Sequence, residues 1–234
     1  MNNCGVIYVA VNPKTAPQQN KYNPQKKQIL KEFFHSFNSL RFFNPNLPVT
    51  VFSDYEEILD SSLDFEPKKI ANDFGLKPKV SGMKDTPYSR TVFLDTDTEV
   101  KGSITPLFNF LDEVDFCLAK EFSHDNNPFN TGVISFKSGP EVDNFIETWY
   151  SSMDNGHEKV CDQGAFNNII KFKYKNPPRK FMHIKNMADS VSIKTLESKI
   201  WNLRVAEKKQ LSSEGFDFNK NIILHMRGLA KGHE

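Results

Sequence analysis

Two carboxylates one residue apart, Asp95 and Asp97 with Thr96 between them, directly follow the apolar run Thr91-Val92-Phe93-Leu94. Such a run reads as a buried strand. In an open α/β sheet, ligands bind in the crevice beyond the carboxyl ends of the strands. Carboxylate oxygens there are hard donors suited to Mg²⁺ or Mn²⁺, ions that commonly bridge the oxygens of a diphosphate. An Asp-x-Asp also often does no more than end a strand, because turns favour Asp. A third donor strengthens the metal reading. His225 follows a second short apolar run, Ile222-Ile223-Leu224, and is expected at the same edge of the sheet. An imidazole nitrogen joining two carboxylates suits Mn²⁺ better than an all-oxygen set. Three residues on, Gly228 permits close approach of backbone to a ligand, and Lys231 supplies a mobile cation for a phosphate oxygen.

These groups need a scaffold, and the pattern along the chain supplies one. Gly5 to Val11 reads as a buried strand and Pro13 to Tyr22 as a loop, with Asn23-Pro24 opening a helix. Ile29, Leu30, Phe33, Phe34, Phe37 and Leu40 give that helix an apolar face, and Asn44-Pro45 ends it. Strands are expected at Val49 to Phe52, Thr91 to Leu94, Phe116 to Ala119, Val133 to Phe136 and Ile222 to Leu224. Helical spacing marks Ile104 to Leu111, Val142 to Met153 and Gln163 to Phe172, the last with Asp162 as its cap. Alternating strands and helices predict an α/β fold with a mixed, mostly parallel sheet flanked by helices. The basic segment Lys171 to Lys180 reads as an edge strand whose lysines discourage pairing. No repeat or linker divides the chain, so one domain over residues 1–234 is expected.

Composition narrows the partners. The 30 Lys and Arg residues nearly balance 29 Asp and Glu, giving a net charge of +1. That balance argues against a general nucleic-acid or membrane-surface binder. No apolar run reaches the ~20 residues needed to span a bilayer. Cys4, Cys117 and Cys161 form no CxxC pair, which suits reduced thiols, and a cytoplasmic protein is expected.

Thr91-Val-Phe-Leu-Asp95-Thr-Asp97 together with His225-x-x-Gly228-x-x-Lys231 resembles the glycogenin-like glycosyltransferases, family eight, which have the GT-A fold. Other segments fall in that family's order: Pro87-Tyr88-Ser-Arg90, Phe129-Asn130-Thr131-Gly132-Val133, Asp162-Gln163-Gly-Ala-Phe-Asn167 and Trp201-Asn202. The tail departs from it, with Gly232-His233 where the family has Pro-Trp. The resemblance implies transfer of a sugar from a nucleotide-diphosphate donor, UDP-sugar being favoured, with retention of configuration. It implies Mn²⁺ (or Mg²⁺) on Asp95, Asp97 and His225, with Thr96 in the same motif, and Gly228 and Lys231 on the diphosphate. Asp162 and Asn130 would hold sugar hydroxyls, and Gln163 would lie near the reacting face in a positioning role. By the same analogy Val9, Ala10, Val11 and Asp54 border the base and ribose, and Lys79 reaches the donor phosphates, leaving Lys84 and Arg90 on the surface. The acceptor (glycan, lipid or protein) is expected to meet the loop from Ser123 to Phe129.

Two alternatives compete. Haloacid-dehalogenase phosphatases also place Asp-x-Asp after an apolar strand, but near the N-terminus and with Thr or Val where this chain has Glu99. A sugar-nucleotide binding module without turnover is the other.

Overall fold

The computed structural model describes residues 3–12, 26–71, 76–120, 129–153, 162–173, 181–183 and 191–226. In chain order the first half runs β1 (Cys4–Ala10), α1 (Lys26–Phe43), β2 (Val49–Ser53), α2 (Glu56–Leu59), β3 (Glu66–Lys69), α3 (Lys77–Lys84), β4 (Arg90–Leu94), β5 (Thr98–Val100) and α4 (Thr105–Asn109). The second half adds β6 (Phe116–Lys120), β7 (Phe129–Lys137), α5 (Pro140–Ser152), α6 (Asp162–Lys173), β8 (Phe181–His183), β9 (Ser192–Leu196), α7 (Ser198–Trp201), β10 (Leu203–Arg204), α8 (Lys208–Ser213) and β11 (Ile223–His225).

An eight-stranded sheet of order β3-β2-β1-β4-β7-β6-β9-β8 carries the fold, and a three-stranded sheet of order β10-β11-β5 stands beside it. In the large sheet β1 pairs in parallel with β2 and β4, β2 with β3, and β6 with β9. The β4–β7, β6–β7 and β8–β9 pairs are antiparallel. This is the mixed, mostly parallel sheet that the alternating pattern predicts.

Period-two alternation decides which residues enter which layer. Val6, Tyr8 and Ala10 of β1, with Val49 and Val51 of β2 and Val92 and Leu94 of β4, pack on one face against Phe33, Phe37 and Leu40 of α1. Ile7, Phe52 and Phe93, from the same strands, point the other way and meet Val80 and Met83 of α3, Trp149 of α5 and Phe166 of α6. Helices therefore cover both faces. The second layer is rich in rings: Phe166 stands edge-on to Trp149 at 5.0 Å and to Phe145 at 5.7 Å, and Phe116 stacks on Phe136 at 5.9 Å. Each such buried ring contributes roughly 1.5–3 kcal/mol by leaving water.

Two expectations change, and a third lies outside the described residues. Residues 171–173, expected in an edge strand, continue α6, because Phe166, Ile169 and Ile170 carry the helical period up to them. Residues 174–180 lie outside the described residues, and β8 is the edge strand instead. The strand ending at His225 belongs to the small sheet, not the large one. The first helix begins by Lys26, and the expected loop and its Asn23-Pro24 cap fall outside the described residues. Among the described residues no helix is long and apolar enough to cross a membrane.

Candidate functional site

Asp95-Thr96-Asp97 is the turn by which the chain leaves the large sheet at the end of β4 and enters the small sheet at β5. The Asp95 N–H donates to the Gly132 carbonyl at 2.8 Å, extending the β4–β7 pairing by one rung. In the small sheet β5 pairs with β11 in antiparallel register, Thr98 opposite His225, and the Met226 N–H donates to the Asp97 carbonyl at 2.7 Å. Register alone thus brings His225 beside the two aspartates. A buried run of hydroxyls holds the turn from beneath. Thr98 Oγ1 donates to the Asp95 carbonyl at 2.8 Å, so Ser36 must donate to Thr98 at 2.9 Å and Tyr8 to Ser36 at 3.1 Å.

The His225 Nε2 atom lies 3.1 Å from Asp97 Oδ1 and 3.8 Å from Asp95 Oδ2. One donor atom from each of the three residues falls within 4.8 Å of the others. Two carboxylate oxygens and one imidazole nitrogen at this spacing fit a divalent cation. The aspartates are partly open while the histidine is only 3% exposed, so the trio faces outward from a buried anchor. Burial disfavours a charged imidazole, but the Asp97 carboxylate, its hydrogen bond and Asp95 outweigh it, raising the His225 pKa. Burial also raises the Asp95 pKa, and the Asp97 charge adds to that, against the opposing pull of Lys79. Crowded carboxylates are an arrangement that a cation relieves.

Lys79 closes the other side. Its ammonium lies 2.8 Å from Asp95 Oδ1 and 2.7 Å from Asp162 Oδ2, and the residue is 8% exposed. One turn further along α3, Gly82 lets the helix settle on the sheet, since a Cβ there would come within 2.5 Å of Val9 Cγ2. Asp162, at the start of α6, also accepts from Thr131 Oγ1 at 2.7 Å. Burial alone would raise the Asp162 pKa, but Lys79, Thr131 and the Gln163 N–H outweigh it, and the carboxyl titrates below its ordinary range. Lys84 and Arg90 lie in surface ion pairs with Glu147 and Asp112, as expected.

A defect in β7 supplies the floor. Leu118 pairs with Ile134, yet the next residue, Ala119, pairs with Asn130, so β7 bulges between these rungs. The bulge delivers Thr131 to Asp162 and Gly132 to the underside of the trio. Asn167 of α6 pins the start of β7, accepting from the Phe129 N–H at 3.0 Å and donating to its carbonyl at 2.9 Å. Asn130 Oδ1 accepts from the Gly132 N–H at 2.8 Å and from Asn202 Nδ2 at 2.7 Å, and Asn202 Oδ1 lies 3.0 Å from His225 Nδ1.

A model of the nucleotide-diphospho-sugar transferase family matches residues 90–232, more than half the chain and all of this motif. The chain belongs to that family. Solved structures agree on the fold of this nucleotide-diphospho-sugar transferase. The apo glycosyltransferase GlyE of Streptococcus pneumoniae TIGR4 superposes with a TM-score of 0.62 at 16% identity, over 96% of this chain and 54% of that one. The galactosyltransferase LgtC, in complex with donor and acceptor sugar analogues, gives 0.59 at 11% identity, over 97% of this chain and 88% of that one. Mouse xyloside xylosyltransferase 1 gives 0.53 at 12% identity, over 96% and 97%. The chain spans about half the length of GlyE. The fold is the GT-A fold of these glycosyltransferases. No curated protein matches the chain. The phosphatase alternative, which rested on the Asp-x-Asp alone, has no support beside the family match.

The remaining expected positions of the transferase lie at the carboxyl ends of β1 and β2. Ala10 and Val11 are buried and Val9 half-buried. Ser53 Oγ donates to the Ala10 carbonyl at 2.7 Å, and Asp54 Oδ1 accepts from the Asn12 N–H at 3.1 Å, so Asp54 ties the two strand ends together. Thr96 is half-buried at the tip of the Asp95–Asp97 turn, and Gln163, next to Asp162, is also half-buried. Gly228, Lys231 and the segment 121–128 lie outside the described residues. Sequence reasoning did not single out Thr131 or Gly132 for a role of its own. The signal for Gly132 was the family-like segment Phe129 to Val133, in which it stands just before the expected strand.

Proposed function

We propose that this chain is a divalent-metal-dependent glycosyltransferase of the glycogenin-like kind, a single catalytic domain that transfers a hexosyl group from a UDP-sugar with retention. The observation that carries the reading is the convergence of Asp95, Asp97 and His225 within 4.8 Å at the junction of the two sheets. These three residues would hold Mn²⁺ or Mg²⁺, which as a Lewis acid neutralises charge developing on a diphosphate leaving group. Family membership and the GT-A neighbours support the donor class.

The chain's own residues then divide the work. The ends of β1 and β2, with Val9, Ala10, Val11 and Asp54, border the base and ribose. Asp162, kept ionised by Lys79 and Thr131, presents a fixed acceptor for a sugar hydroxyl. Lys79 adds positive charge on the phosphate side of the same group. Gln163 orients the reacting face; an amide is a poor nucleophile, so its role is positional. Gly228 and Lys231 would contribute a backbone N–H and a cation to the diphosphate. The acceptor, a glycan, lipid or protein, enters past residues 123–129.

A thermal-shift screen of nucleotide sugars with and without Mn²⁺ tests the reading, because a ligand of the folded state raises the melting temperature by mass action. UDP-sugars should stabilise only with the metal, and Asp97→Ala should abolish the effect. An Asp97→Ala chain that responds like the parent would defeat the metal assignment. Slow Mn²⁺-dependent hydrolysis of the donor separates turnover from a binding module.

A further inference from the structure

We propose that Asn130 and Asn202 form an amide relay that dictates which nitrogen of His225 carries the hydrogen, making Asn202 a positioning residue of the metal site; the inference rests on the metal-site reading above. The relay begins at a group that has no choice. A backbone N–H can only donate, so the side-chain atom 2.8 Å from the Gly132 nitrogen is the oxygen of Asn130. That oxygen also faces Asn202 at 2.7 Å, and the facing atom must be a donor, the Asn202 amide nitrogen. The Asn202 oxygen is therefore the atom 3.0 Å from His225 Nδ1. An amide oxygen only accepts, so Nδ1 carries the hydrogen. The Asp97 carboxylate also only accepts, so while no cation is bound Nε2 holds a hydrogen as well; the relay makes the Nε2 hydrogen the one that leaves, which frees that lone pair on the side where Asp95 and Asp97 stand.

Burial makes the relay strict. Asn202 is 2% exposed and Asn130 5%, so an amide turned over would set oxygen against oxygen with no water to intervene. The sequence holds both ends: Trp201 and Leu203 flank Asn202 in the core, and Asn130 is fixed by the β7 bulge. A metal-bound histidine needs its free nitrogen to be the correct one, and a partner on the opposite nitrogen ensures this.

The experiment has two readouts on the full chain. Nitrogen-15 NMR of His225, at a pH that leaves the ring neutral and with no metal added, reports the tautomer. Titration with Mn²⁺ reports affinity. The parent should carry its hydrogen on Nδ1. Asn202→Ala should lose that preference and lower Mn²⁺ affinity about 10–100-fold. A parent with its hydrogen on Nε2 overturns the relay without recourse to any variant. So does a folded Asn202→Ala chain with the parent's tautomer and affinity. If the parent binds no Mn²⁺, the metal reading fails, and the tautomers of parent and Asn202→Ala still decide the relay.

Discussion

Gly132 lies so close beneath His225 that a Cβ at this position would sit 2.4 Å from His225 Cε1 and 2.9 Å from Asp95 Oδ2. Strand and ligands touch with no room for a methyl group. Gly132→Ala must therefore push the imidazole or the Asp95 carboxylate aside. Overpacking of this kind costs about 1–3 kcal/mol, read as a lower urea midpoint. The larger expected effect is on the ligands themselves, a loss of Mn²⁺ affinity of roughly tenfold or more for displaced ligand geometry, measured by titration. Unchanged affinity would mean that the trio does not act as a unit.

Lys79 is the cation that two buried carboxylates share. Lys79→Met removes it and leaves Asp95 and Asp162 uncompensated, which should destabilise the fold by about 3–5 kcal/mol. Added Mn²⁺ should then raise the melting temperature of the variant by more than that of the parent, since it replaces lost positive charge. Calorimetry with and without the ion checks both statements. A variant as stable as the parent would show the ion pairs to be incidental.

The hydroxyl run from Tyr8 to the Asp95 carbonyl is directional, each group donating to the next. Ser36→Ala interrupts it and orphans the hydroxyl of Tyr8, which is fully buried. A lost buried partner costs roughly 1–3 kcal/mol, measurable by chemical denaturation. A neutral result would imply that Tyr8 finds another partner.

Far from the site, Asp115 joins β6 to β9: its Oδ2 accepts from the Ser192 N–H at 2.9 Å and hydroxyl at 2.6 Å, with Lys137 3.3 Å from Oδ1. Burial pushes its pKa up, but the Ser192 bonds and Lys137 outweigh that, and the folded-state value is depressed. A depressed carboxyl pKa stabilises the fold above the unfolded value of about 3.9, and the benefit fades as pH falls through the lower folded value. Asp115→Ala should thus cost about 1.5–3 kcal/mol at pH 7 and less below pH ~3. Urea melts at both pH values test the sign.

Much of this was legible in the residues. Short apolar runs closing on Asp95 and on His225 marked the candidate ligands, because both end in metal-binding residue types at one expected sheet edge, whereas either ending alone is common at turns. Which sheet each run joins was not legible, since a three-residue strand such as Ile223–His225 carries no record of its partner. Lys79 was expected at the donor phosphates by resemblance; its ion pairs with Asp95 and Asp162 were not legible, because they follow from the packing of α3 on the sheet, allowed by Gly82. The β7 bulge was equally hidden, for a change of pairing register leaves the apolar alternation of Val133 to Phe136 intact. Lys171 misled because alternating Lys and aromatic residues fit an edge strand, while the helical period that governs 171–173 begins upstream at Ala165.

The small sheet has a consequence for synthesis. Its strands come from residues 98–100, 203–204 and 223–225, so its assembly waits on residues made after every strand of the large sheet. A nascent chain halted before residue 223 can already pair the strands of the large sheet, yet it presents two aspartates with no imidazole between them. The three candidate ligands therefore come together only after the large sheet, and a chain that stops short of residue 225 cannot assemble them.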